Sequence, residues 1–146
     1  MVRLESQDTK GAMKNFQLSK DMLNLGGQFY PTGHIVAMFA GENEARAAAR
    51  ALVDARIPED DISLITPEAM MRDVARTVGN ADIPLPSAGT EADTVRRFSE
   101  LSAQGHHGLL IHVSREHDSE QVMAALRDHR PSHAQYYRRL VIEDLA

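Results

Sequence analysis

The sequence predicts an α+β domain assembled from two similar β-α-β halves. Two continuous apolar runs, 35–40 and 109–114, have the length of buried strands. Each run is followed by a helix-period segment that leads into a further strand. The two halves also repeat one another at an offset of 74 residues.

Ile35 to Ala40 is bounded by Gly33 and Gly41, the pattern of a strand buried on both faces. Glu42 to Arg56 follows as an alanine-rich helix with Ala45, Ala48, Ala49, Leu52 and Val53 on one stripe, and Pro58 stops it. Asp61 to Thr66 is the second strand. Thr66-Pro67 opens the next helix, with Pro at its first position; Met70, Met71, Val74, Ala75 and Val78 share a face and Gly79 closes it. Asn80 to Gly89 holds two prolines and no period, so it reads as an exposed loop. Thr90 and Asp93 open a helix in which Val95, Phe98 and Leu101 recur every three residues before Gly105. Gly108 to Ser114 is the third strand, Asp118 with Gln121 caps a helix through Arg130, and Gln135 to Ile142 is the last strand.

Residues 1–31 form an arm ahead of a domain spanning 32–146. Met1 to Lys10 is polar and unpatterned, which predicts disorder. Between Ala12 and Leu25 the spacing of Phe16, Met22 and Leu23 suits a short helix ended by Gly26-Gly27. The arm is either a loose tail or a segment that packs on the domain or on a second subunit.

The repeat, 33–67 over 107–142, is the most informative feature. Ala51 to Arg56 matches Ala125 to Arg130 with four of six residues identical; Val36 to Phe39 falls on Leu110 to Val113, and Glu42 on Glu116. Two such halves with right-handed crossovers combine most simply as a ferredoxin-like sandwich, with the helices at 67–78 and 91–104 as an insertion. Strands 35–40 and 109–114 then sit centrally, and the more polar strands 62–66 and 135–142 form the edges. A doubly wound parallel sheet is the alternative.

Period-two alternation places Ile35, Ala37, Phe39, Leu109, Ile111 and Val113 on one face of the sheet. It places Val36, Met38, Leu110 and His112 on the other. Both sets are largely apolar, so the second face needs a cover: a second copy of the chain, the arm, or the inserted helices. The expectation is a homodimer or self-covering through this face.

Composition bounds function. There is no cysteine, hence no disulfide, zinc-thiolate site or thiol nucleophile. A net charge of -5, with only Lys10, Lys14 and Lys20 as lysines, argues against nucleic-acid binding. No apolar run is long enough to span a membrane and the amino terminus lacks a leader pattern, so the expectation is a cytoplasmic protein without membrane association. Seven histidines invite a metal test. His129 and His133 have an H-x3-H spacing, but Pro131 interrupts it, and His107 and His112 point to opposite faces; the expectation is no metal and no cofactor. Glu59-Asp60-Asp61 reads as a solvated turn rather than a calcium loop. Ser114-Arg115-Glu116-His117 places a hydroxyl, a base and an acid at one strand end, yet neighbours in sequence seldom form a triad.

The segments Ile35-Val36-Ala37-Met38-Phe39, Glu42 to Leu52 and Asp60-Asp61-Ile62-Ser63-Leu64-Ile65 resemble the bacterial general stress protein-like (heat-induced stress protein) α/β domain. The likeness covers 33–67 well and 108–142 loosely. Two departures are Arg56, where a glycine often follows the helix, and the middle segment, here two amphipathic helices. The resemblance implies a small bacterial cytoplasmic protein associated with stress and without an assigned reaction. The functional expectation is a non-enzymatic stress-associated or regulatory domain. A small-molecule sensor binding at a subunit interface is the competing class, with Met38, His112 and His117 as ligand-binding candidates beside the 80–89 loop. A small enzyme would require His112 or His117 near a carboxylate.

Overall fold

In a computed structural model, residues 13–24, 26–79, 89–138 and 142–144 are described. The expected disorder of Met1 to Lys10 and most of the 80–89 loop lie outside these residues. The chain is a mixed α/β structure with the element order β1 (Lys14–Asn15), β2 (His34–Phe39), α1 (Glu42–Asp54), β3 (Ile62–Ile65), α2 (67–79), α3 (Gly89–Ala103), β4 (His107–His112), α4 (Glu116–Leu126), β5 (His133–Tyr137) and β6 (Ile142–Asp144). The sheet runs β1-β3-β4-β2-β5-β6. β2 is antiparallel to both β4 and β5, and β3 is antiparallel to β4, so the two apolar strands are central neighbours as expected.

The expected edges are not edges. β1 lies parallel against β3, and β6 lies antiparallel against β5. The arm supplies one of these additions. Where its spacing suggested a helix, the chain forms β1 and a single 3-10 turn at Lys20–Met22. Tertiary hydrogen bonding overrides local pattern here: the Phe16 amide donates to the Leu64 carbonyl at 2.9 Å, a partner that no short isolated helix could supply. α4 also starts earlier than expected, at Glu116. Asp118 sits inside its first turn and its carboxylate accepts the Arg115 amide at 3.2 Å. In α2 the Thr66 hydroxyl caps the first turn, and the stretch Met70–Val74 widens to π geometry. Met70 and Val74 point inward while Met71 is 47% exposed, so the face drawn from the sequence was one residue too wide.

Positions 74 residues apart share local backbone and burial features. The non-glycine residues with positive φ among those described are Arg56 (74°) and Arg130 (51°), which are repeat counterparts following α1 and α4. Each occupies a left-handed position that glycine would fill without a Cβ penalty of about 1–2 kcal/mol. Ala48 and Leu52 of α1 correspond to Val122 and Leu126 of α4, and all four are buried. Val36 and Leu110 are at once register partners and repeat counterparts, so the approximate two-fold axis passes between them.

Each face of the sheet has its own core. α1 and α4 cover the first, packing Ala45, Ala48, Leu52, Val122 and Leu126 on Ile35, Ala37, Phe39, Leu109 and Ile111. The second face, Val36, Met38 and Leu110, is filled by Met70 and Val74 of α2, by Val95, Phe98 and Leu101 of α3, and by Phe16, Phe29 and Tyr30 of the arm. The chain therefore covers both sides itself, and the second copy that the sequence offered as one possible cover is not needed there. The arm is fastened by an edge-to-face series, Phe16 on Phe29 (6.1 Å), Phe29 on Tyr137 (6.0 Å) and Tyr30 on Tyr137 (5.0 Å). The Phe29 amide also donates to Thr77 Oγ1 at 3.0 Å, tying the arm to α2. Among the described residues no helix is long and apolar enough to cross a membrane.

Candidate functional site

The two-fold relation gives the second sheet face two equivalent ends, and they have been put to different uses. Met38 and His112 are repeat counterparts, as are His34 and Gly108. At one end Met38 pairs with Gly108 and is fully buried. A Cβ on Gly108 would lie 3.0 Å from the Met38 sulfur and 3.5 Å from Ile65 Cβ, so this end is packed shut. At the other end His34 pairs with His112, and Lys14 and Met22 of the arm border the space beside them. A cavity of about 230 Å³ remains there, lined by Lys14, Met22, His34, Asp60, Asp61, Ser63, Leu110 and His112.

Register builds this site. Asp61 immediately precedes Ile62, the partner of Ile111, so it meets His112 at the strand end; His112 in turn faces His34 across the β2-β4 pair. The two imidazoles stand 5.1 Å apart at 57°. Asp61 Oδ1 approaches His112 Nδ1 to 3.7 Å, with both side chains partly open to solvent. That separation suits an ion pair once His112 carries a proton and exceeds a hydrogen bond. His34 Nδ1 lies 3.0 Å from the Thr32 carbonyl oxygen. Because a carbonyl only accepts, Nδ1 carries the hydrogen, and Nε2 of the neutral ring is left as an acceptor.

Burial lowers the pKa of His34 below its ordinary value; the Thr32 carbonyl works against this, and the neighbouring His112 adds to it. The folded state thus favours the neutral ring. Below the ordinary imidazole pKa of about 6.5 the unfolded chain takes up a proton that the folded chain resists. The stabilisation from neutral His34 is complete above that pH and is lost as the pH falls through the depressed folded value. Urea unfolding between neutral and mildly acidic pH should show wild-type stability falling more steeply than that of His34→Gln. Parallel curves for the two proteins would remove His34 from the acid response.

Of the three ligand-binding candidates read from the sequence, His112 lines this cavity. Met38 shares the sheet face but sits four positions along β2 from His34, about 13 Å away, beneath the inserted helices. His117 follows Glu116 in α4, and its side chain lies outside the described residues. Sequence reasoning missed His34, Asp61, Ser63, Lys14 and Met22. A usable signal existed: with Val36 opposite Leu110, antiparallel counting carries His34 onto His112. The apolar run alone starts the strand at Ile35, whereas the strand begins at the polar His34, one residue earlier.

The other histidines are dispersed. His106 Nδ1 meets Ser132 Oγ at 2.8 Å, His107 Nδ1 the Gly105 carbonyl at 3.1 Å, and His133 Nε2 the Gln135 amide nitrogen at 3.0 Å. The helical turn at His129 ends before β5 begins at His133, as Pro131 requires. Among the described residues no three His, Asp or Glu side chains come together in a way that could hold a metal ion.

The fold and cavity define a mixed α/β domain of duplicated β-α-β units, with a small two-histidine pocket at one end of an otherwise filled sheet face. No family model, curated protein or solved structure matches the chain.

Proposed function

We propose that this chain is a non-enzymatic regulatory domain of ferredoxin-like design, and that the His34–His112 pocket is its small-molecule effector site. The observation that carries the reading is the unequal treatment of two repeat-related ends. One is closed by a methionine, a glycine and the inserted helices, and the other is left open and lined with ionisable groups. A cavity with an apolar floor (Met22, Leu110) and converging Lys14, Asp60, Asp61 and two imidazoles suits a compact polar ligand that both donates and accepts hydrogen bonds. The stress association implied by the resemblance is compatible with such a sensor. Self-association through the second face would require α2, α3 and the arm to lift off a filled core, so the sensor is read as complete within one chain.

A thermal-shift screen against nucleotides, amino acids and divalent metal ions tests this. A true effector at a hundredfold excess over its Kd stabilises by about 2.7 kcal/mol, several degrees in Tm. The expected result is a stabilising hit that His112→Ala abolishes. A panel that shifts neither protein, or shifts both alike, counts against the pocket. Acid–base catalysis by His112 with Asp61 is a second reading, favoured by the 3.7 Å approach of the two groups. It is the weaker one, because no described hydrogen bond holds a nucleophile against either imidazole.

A further inference from the structure

Beside α1 lies a second cavity, of about 320 Å³, which shares no lining residue with the two-histidine pocket and combines four apolar side chains, Met13, Ala49, Val53 and Ile62, with Arg46, Arg50 and Glu59. We propose that it binds a carboxylate-bearing amphiphile, with the carboxylate on Arg50 and the hydrocarbon chain over Ala49, Val53, Ile62 and Met13.

Helical spacing creates the site. Arg46, Arg50 and Val53 are separated by four and three residues and so share one side of α1, with Ala49 beside them. Ala49 and Ile62 are buried, while Val53 is 42% exposed, one of two large apolar side chains left open among the described residues. The first part of the arm closes the floor through Met13. The two guanidinium groups are not equivalent. Arg46 is taken by Glu42 at 2.8 Å on its own helix. Arg50 is exposed and makes no ion pair or hydrogen bond among the described residues. An unengaged guanidinium beside an apolar floor presents the forked donor geometry that a carboxylate accepts. Glu59 also lines the cavity and repels negative charge, so a ligand with one anionic group is favoured over one with two.

The repeat supplies an independent reason to regard this groove as particular rather than as a consequence of the fold. On α4 the counterparts of Arg46, Ala49, Arg50 and Val53 are Glu120, Met123, Ala124 and Arg127. There the larger Met123 packs against the core where α1 has the small Ala49, and the arginine at the Arg50 position is absent. The combination of a small floor residue at Ala49 with a guanidinium at Arg50 is thus present in the first half and not at the counterpart positions of the second.

The test is a titration of the full chain with sodium octanoate, followed by methyl NMR, with 1-octanol as the uncharged control. The expected result is saturable shifts at Met13, Ala49, Val53 and Ile62. Binding should weaken about tenfold for octanol and for Arg50→Gln, the equivalent of one charge-assisted hydrogen bond. Val53→Glu, at an exposed helical position, should also weaken binding while leaving the circular dichroism spectrum unchanged. Absence of saturable shifts overturns the proposal, as does equal binding of octanol and octanoate with Arg50→Gln unaffected. Shifts confined to Met22 and Leu110 would place the ligand in the two-histidine pocket and overturn it equally. The effector reading of that pocket stands or falls on its own screen.

Discussion

Replacing Phe98 by alanine should cost the fold about 3–5 kcal/mol, the largest single loss expected from one substitution here. Phe98 is fully buried in the core of the second sheet face, where it joins α3 to Val36, Met38 and Leu110 and meets the His133 ring edge-on at 5.8 Å. Alanine would remove the transfer energy of the ring and leave a cavity that neighbouring strands cannot collapse to fill. Against a total stability of about 5–15 kcal/mol for an ordinary domain, this is a large fraction. Urea denaturation measures it as a drop in midpoint at constant slope. The variant should also bind a hydrophobic dye and associate with rising concentration, because loosening α3 uncovers an apolar sheet face. A cost below about 1 kcal/mol would mean that α3 is not the cover described above.

The second large effect comes from exchanging the repeat counterparts Met38 and His112. Met38→His should destabilise by about 1–3 kcal/mol, since an imidazole of similar bulk would be enclosed by Ile65, Phe98 and Leu110 with its polar nitrogens unpartnered. His112→Met places a thioether at a half-open position beside Met22 and Leu110 and should leave stability within about 0.5 kcal/mol of wild type at neutral pH. Chemical unfolding of both variants measures the difference. Equal costs would show that the two ends of the sheet are alike and would remove the physical basis for assigning the pocket to one of them.

The periodic signals transferred well from sequence to structure. Apolar runs of strand length, the alanine stripe of α1 and the 74-residue offset were enough to place β2 and β4 side by side at the centre and to divide their side chains between two faces. Those features depend on spacing along one element or on identity between two, which a sequence contains directly. Weaker local signals failed where a distant partner decided the outcome. Residues 14–22 became a short strand and a single turn because β3 offered backbone hydrogen bonds.

The candidate site followed the same division. His112 was assigned correctly to the second face, because alternation along a strand is a local property. Its association with His34 and Asp61 comes from register across three strands. The closure of the Met38 end depends on how α2 and α3 settle over the sheet. The sequence by itself therefore determined a mixed α/β domain with two central apolar strands and two apolar sheet faces. Only the tertiary structure decided what covers the second face and which of its two ends stays open, because both depend on how the arm and the inserted helices pack over the sheet, contacts between segments far apart in the chain.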